Sequence, residues 1–170
     1  WDVLAENLTD YFAKHSTASK RPLSESDLNC IKPKLVDHNG NVAYGRFESF
    51  WGWFVAFITL IRRVPELWLT AEPATFLKGV MSRAECNKML SGKNAGTFLL
   101  RLSESQAGCI AVAFVDSNLQ TGHILIDCKS EEFRIFLADG QDLAYSSLVE
   151  LVLNCKKFTH FHSHTKPDGV

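Results

Sequence analysis

The sequence lacks any catalytic signature. It contains no GxSxG, no HExxH, no GxxxxGK[ST] and no cysteine paired locally with a histidine, so hydrolase, metalloprotease, nucleotide-cleaving and thiol-nucleophile chemistries have no anchor. It also lacks an excess of charge: 18 Lys and Arg stand against 19 Asp and Glu, a net charge of −1. This argues against general affinity for nucleic acid or a membrane surface. No apolar run is long enough to cross a bilayer, which takes about 20 residues. The longest, Phe50 to Ile61, is flanked by Glu48 and Arg62-Arg63 and reads as a buried core helix. The five cysteines (30, 86, 109, 128 and 155) form no CxxC and are odd in number, which suits free thiols in a reducing compartment. Initiator Met and signal peptide are both missing, so the chain is expected to be an excised fragment. Repeats and low-complexity segments are absent as well.

What is present is an ordinary globular composition, 46% hydrophobic and 22% charged over 170 residues, enough for one domain or two small ones sharing an interface. Up to about residue 70 the apolar spacing is helical. Trp1, Leu4, Leu8, Tyr11 and Phe12 line one face of a first helix. Ser24-Glu25-Ser26-Asp27 resembles a capping box opening a second, with Leu28, Ile31 and Leu35 inward and Pro33 expected to shorten or kink it. A third is predicted over 46–63. Ser82-Arg83-Ala84-Glu85 is another capping box. After residue 95 the pattern alternates as strands do, and a last helix runs from Ser146 to about Lys157 with Leu148, Leu151, Val152 and Cys155 on one face. The Ala71–Ala74 stretch with Pro73 is the expected boundary, with Trp68 and Phe76 suggesting that the two parts pack together.

The most informative stretch is Gly96-Thr97-Phe98-Leu99-Leu100-Arg101-Leu102-Ser103-Glu104-Ser105. Alternation sets Phe98, Leu100 and Leu102 on one face and Thr97, Leu99 and Arg101 on the other. An arginine inside such a run needs a fixed anion, because a buried unpaired charge is very costly. Either an internal carboxylate such as Glu104 supplies it, or a ligand does. The loop that follows offers the hydroxyls of Ser103 and Ser105 and free backbone N–H groups, which together with a guanidinium fork meet the needs of a phosphate monoester dianion. The same serines would also serve as plain turn caps. Glu104 would repel a dianion through its carboxylate, but its backbone N–H can donate while the carboxylate orients a nearby cation. A deep arginine is reached by the long aromatic stem of phosphotyrosine and missed by the short one of phosphoserine.

This stretch resembles the phosphate-binding strand and loop of an SH2 domain, and its wording is closest to the STAT family. Gly108-Cys109-Ile110-Ala111-Val112-Ala113-Phe114-Val115 fits the next strand. Upstream, Trp1 with Leu4 and Leu8, Arg21-Pro22-Leu23, Arg46-Phe47, Trp53 with Leu60-Ile61, and Leu67-Trp68 echo the helical linker domain that precedes the SH2 domain in STATs. The resemblance implies an α+β fold: an all-helical linker with EF-hand-like helix pairs over 1–72, then an SH2 domain over 73–170 with a central antiparallel sheet flanked by two helices. It implies phosphotyrosine binding by Arg101, Ser103, Glu104 and Ser105. It adds Arg83, where STAT-type domains carry a basic residue aimed at the phosphate, although a surface arginine would look the same. It adds His123, in a strand (Thr121 to Ile126) like the one that carries a ring-contacting histidine in many SH2 domains outside the STATs, although a strand-end histidine is commonly just solvated. No cofactor, metal or catalysis is implied. The partner would be a phosphotyrosine peptide or protein, with a homodimer through a phosphotyrosine tail in the full-length protein. This fragment has no tyrosine after Tyr145 and is expected neither to bind DNA nor to associate with membranes. Its expected place is the cytoplasm, and the nucleus on activation.

Two other classes compete: an adaptor like the Cbl region, where an EF-hand-like unit also precedes an SH2 domain, and a structural SH2-like fold that binds no phosphate. Asp37-His38-Asn39-Gly40-Asn41 resembles the start of a calcium loop, but Val42 stands where the sharp turn needs glycine, so a metal-free turn is expected. His160, His162 and His164 alternate but lack a fourth ligand, so an exposed tail is expected rather than a zinc site. A phosphotyrosine phosphatase would need a nucleophilic cysteine in the phosphate loop; this loop holds serines, and Cys109 lies beyond it.

Overall fold

The computed structural model describes residues 1–17, 20–69, 77–136, 142–155, 158 and 160–161, the last two through their backbone. Four helices come first: α1 (Asp2–His15), α2 (Glu25–Leu35), α3 (Tyr44–Arg63) and α4 (Pro65–Leu69). Then follow β1 (Leu77–Val80), α5 (Arg83–Leu90), β2 (Thr97–Leu102), β3 (Cys109–Val115), β4 (Thr121–Asp127), β5 (Phe133–Phe136), β6 (Asp142–Tyr145), α6 (Leu148–Asn154) and β7 (His160–Phe161). The expected α+β architecture is present, helices first and then a sheet with helices on both sides. The division at residue 72/73 falls among residues outside those described, as does Phe76. Of the alternating histidines, His162 and His164 also lie outside, and the side chain of His160 is not described.

Local chemistry explains where the helices begin. Ser24 accepts a hydrogen bond from the Asp27 N–H while Asp27 accepts from the Ser24 N–H, a reciprocal box at the start of α2; Ser82 and Glu85 repeat it on α5. At α6 the cap is Ser147, which accepts from the Glu150 N–H. Pro33 sits inside α2, and the helix ends two residues later at Leu35. Arg46 crosses from α3 to donate to the Pro33 and Val36 carbonyls, 3.3 and 3.0 Å away, satisfying acceptors that the end of a helix leaves free. In the turn after α2, Asp37 Oδ1 accepts the N–H groups of Asn39 and Asn41, both at 2.8 Å, so this carboxylate closes its own turn.

The sheet runs in the order β1-β2-β3-β4-β5-β6. Neighbours are antiparallel except that β1 and β7 both lie parallel to β2, β1 beside Leu100–Leu102 and β7 beside Thr97–Phe98. Every residue of β2 and β3 is buried, because both faces are covered. On one face Phe98, Leu100, Leu102, Ile110, Val112, Phe114 and Ile126 join a core that continues without interruption into Phe12, Phe54, Phe57 and Trp68 of the helical part, and into Leu148 and Leu151 of α6. Rings link this core: Phe12 to Phe57 at 5.2 Å, Phe57 to Trp68 at 5.8 Å, Phe98 to Phe158 at 5.2 Å. On the other face Leu99, Ala113 and Val115 form a second, smaller core under Cys86 and Leu90 of α5.

Polar groups hold the helical part to β1. Arg21 donates to the carbonyls of Trp68 (2.9 Å) and Leu77 (2.7 Å) and stacks over the Trp68 ring, whose Nε1–H returns a bond to the Arg21 carbonyl. Asp27, buried at the start of α2, also accepts the Val80 N–H at 2.8 Å. The strand reaches that carboxylate only because residue 79 is glycine: φ there is +94°, and a Cβ would overlap Asp27 Oδ1 and stand 3.1 Å from its Cγ. Gly79→Ala is therefore expected to destabilise the protein by about 2–4 kcal/mol, combining backbone strain with the displaced carboxylate. A urea-unfolding midpoint equal to that of the unaltered chain would contradict this account of the joint.

Candidate functional site

Arg101 lies on β2 opposite Ala111 of β3, on the α5 side of the sheet, and only 3% of it is exposed. Its Nη1 donates to the carbonyls of Met81 (2.9 Å) and Leu102 (3.2 Å), and its buried Nε–H has no partner. Among the described residues no carboxylate pairs with it; the ion pairs found are those of Arg134 with Glu132 and Asp142. Glu104, the internal partner considered from the sequence, does not fill that role. The Cys86 thiol is beside Arg101, but burial pushes its pKa up to about 11 against the opposing pull of the guanidinium, so it stays neutral. The guanidinium is thus buried, held by carbonyl dipoles and left with one N–H donor unpartnered, an arrangement in which an anion would be well placed.

The loop after β2 supplies donors. Ser103 is buried; its N–H donates to the Cys109 carbonyl at 3.0 Å and its hydroxyl oxygen accepts the Gln106 N–H at 3.0 Å. The serine thus caps the turn and still has its own O–H to give. Glu104 is half-buried and Ser105 exposed. Among the described residues nothing accepts the backbone N–H of either.

Arg83 is the first residue of α5 and is exposed. His123 lies on β4 opposite Ala113, on the same side of the sheet as Arg101. Its Nε2 stands 2.9 Å from Asn87 Oδ1 on α5, and its Nδ1 is buried without a partner. The imidazole titrates below its ordinary value, first because burial disfavours the imidazolium, then because Arg101 and Arg83 both repel it. The structure thus gathers Arg101, Arg83 and His123 on the α5 face, with the 103–105 loop at the end of β2.

Four contributors went unread in the sequence. Met81 acts through its carbonyl and Asn87 through an amide on an exposed helix face, and neither carries a motif. Trp53 Nε1–H donates to the Ser103 carbonyl at 3.1 Å, and Lys34 Nζ donates to the Glu104 carbonyl; both come from the helical part, where Trp53 read as core and Lys34 carried no signal. A separate groove of about 640 Å³ between α3 and residues 128–131 is no rival site, since its arginine, Arg63, already donates to the Cys128, Ser130 and Glu131 carbonyls. Among the described residues no group of three His, Cys, Asp or Glu is arranged to hold a metal, and no helix is long and apolar enough to cross a membrane.

Residues 76–154 match the SH2 domain family, so the part of the chain that carries the arginine, its loop and α5 is an SH2 domain. Beyond that domain, the chain is similar to STAT proteins. It is 30% identical over 99 residues to signal transducer and activator of transcription A of Dictyostelium discoideum, covering 56% of this chain and 13% of that protein. It is 29% identical over 130 residues to signal transducer and activator of transcription 1 of Caenorhabditis elegans, covering 68% of this chain and 18% of that protein. It is also 24% identical over 144 residues to SH2 domain-containing protein A of Arabidopsis thaliana, covering 78% and 22%. The chain therefore spans about a fifth or less of the length of the first two and little more of the third.

The His123 environment has a measurable consequence. Its depressed pKa means that the unfolded chain binds the proton more readily, so the stability tied to the neutral ring is complete above pH 6.5 and is lost as pH falls through the folded-state value. Proton NMR titration of the ring is expected to give a midpoint below 6.5 that rises in Arg83→Ala; a midpoint at or above 6.5 in the unaltered protein would contradict the site geometry.

Proposed function

We propose that this chain is a phosphotyrosine-binding module of a STAT-like signal transducer, composed of a helical linker (1–72) and an SH2 domain (73–170). The observation that carries the reading is the Arg101 guanidinium: 3% exposed, without a carboxylate, and with an unsatisfied Nε–H. A phosphate dianion supplies what it lacks. Arg101 would bind it through charge-assisted hydrogen bonds worth about 1.5–3 kcal/mol each. The Ser103 hydroxyl and the N–H groups of Glu104 and Ser105 would share the remaining oxygens. The Ser105 hydroxyl would donate from the loop's exposed end, and Arg83 would approach from the N-terminus of α5. His123 would flank the phosphotyrosine ring.

The chemistry is recognition without bond making, and the module's activity is reversible binding. In the whole protein the bound tyrosine would belong to a signalling partner or to a second copy, giving a reciprocal homodimer that acts in transcription. Its place would be the cytoplasm, with entry to the nucleus on activation. A net charge of −1 agrees with no DNA or membrane role for this chain.

The test is fluorescence polarisation with a labelled, sequence-degenerate pool of phosphotyrosine peptides against the same pool unphosphorylated. Binding is expected only with the phosphate. Arg101→Ala is expected to weaken it by about 100-fold or more while leaving the thermal transition intact, since the change removes a buried unpaired charge. Equal affinity for the two pools would refute the reading.

A further inference from the structure

The helical part of the chain does more than precede the SH2 domain. Asp27, Cys30 and Lys34 recur on one face of α2, at helical spacing, and each meets a different segment around Arg101. Asp27 accepts the N–H of Val80, the residue before Met81, whose carbonyl takes the Arg101 Nη1. The Cys30 thiol contacts Glu85 of the α5 capping box at 3.7 Å. Lys34, half-buried, donates to the Glu104 carbonyl and lies 4.9 Å above the Trp53 ring. Trp53 adds its own bond to the Ser103 carbonyl.

The last two contacts have a geometric consequence. In a trans peptide the C=O and the following N–H point in opposite directions. Trp53 belongs to the large core on the face opposite α5 and draws the Ser103 carbonyl that way, so the Glu104 N–H is turned toward the Arg101 face. Lys34, seated over the Trp53 ring, holds the next peptide through the Glu104 C=O, so the Ser105 N–H points away from Lys34. Both are loop N–H groups that nothing in the described structure accepts. Loop residues are mobile by default, and two donors aimed before the ligand arrives bind an anion better than two that must first be ordered. Lys34 gives up solvation to hold this position, which lowers its pKa.

We propose that Trp53 and Lys34 are positioning residues of the phosphate site, so that the helical linker sets the affinity of the SH2 domain for phosphate and phosphate binding in turn tightens the seam between the two. This rests on the phosphotyrosine reading above. The experiment uses the whole chain and phenyl phosphate, a probe without peptide contacts, titrated by NMR at the amides of Glu104 and Ser105. Trp53→Phe keeps the ring and removes the N–H; Lys34→Met keeps the stem and removes the charge; Lys34→Arg restores a donor.

Trp53→Phe and Lys34→Met are each expected to weaken phenyl phosphate about 5- to 10-fold and to speed hydrogen exchange at Glu104 and Ser105 in the free protein, with Lys34→Arg close to the unaltered chain. Lys34 is half-buried at the surface, so its substitutions preserve the fold even if Trp53→Phe does not. Binding that Arg101→Ala abolishes while both positioning variants retain full affinity and unchanged exchange overturns this inference alone. Binding that is absent from the unaltered chain, or kept by Arg101→Ala, overturns the phosphotyrosine reading and the inference with it.

Discussion

A guanidinium buried in the sheet is the constraint around which the rest of the structure is arranged. Arg101 cannot be neutralised, so its charge must be met where it lies. Two carbonyls meet part of it, one from its own strand and one from Met81 across the parallel junction with β1. The Cys86 thiol beside it, which could become an anion, is kept protonated by its burial. A structural arginine would be paired internally; this one is left incomplete on the side where the loop N–H groups, Arg83 and His123 gather. The incompleteness costs stability, since a buried charge is left partly unmet.

Keeping a buried guanidinium partly unsatisfied requires a rigid surround, and the chain builds it from both of its parts. The large core runs from Leu8 and Phe12 through Trp68 into Phe98 and Leu151 without a break, so the helical part shares its interior with the sheet. The polar seam follows the same course. Arg21 secures the start of β1, Asp27 and Gly79 secure its end, and Lys34 and Trp53 reach the loop. Each contact joins a side chain of the helical part to a backbone group at β1 or in the loop after β2. Such bonds specify the path of the main chain without dictating the side chains of the site.

Much of this was legible in the residues themselves. The capping boxes at Ser24 and Ser82 could be read because both partners of each bond lie three positions apart. The faces of β2 followed from alternation, and the loop chemistry from the serines next to the arginine. Other elements were not legible. β1, β5 and β6 are four residues each, too short for a period to show. α4 is a single turn and a half led by Pro65. Glu104 was read through its carboxylate and its N–H, but its carbonyl is the group that meets Lys34. Trp53 and Lys34 lie 50 and 70 residues from their acceptors, and no pattern in a single sequence links positions that far apart.

The sequence by itself determined what is local: where helices α2, α5 and α6 begin, which face of β2 carries the arginine, and that a loop of serines follows it. These depend on groups within one turn or one strand of each other, so their geometry comes with the covalent chain. Only the tertiary structure decided which donors around Arg101 are occupied and which remain open. That depends on Met81, Cys86, Asn87, Lys34 and Trp53 arriving from separate elements, brought together by burial of apolar surface that has no directional preference of its own. The unpartnered Nε–H of Arg101 is a remainder, what is left unsatisfied once every other partner has been assigned, and a remainder exists only in the folded whole.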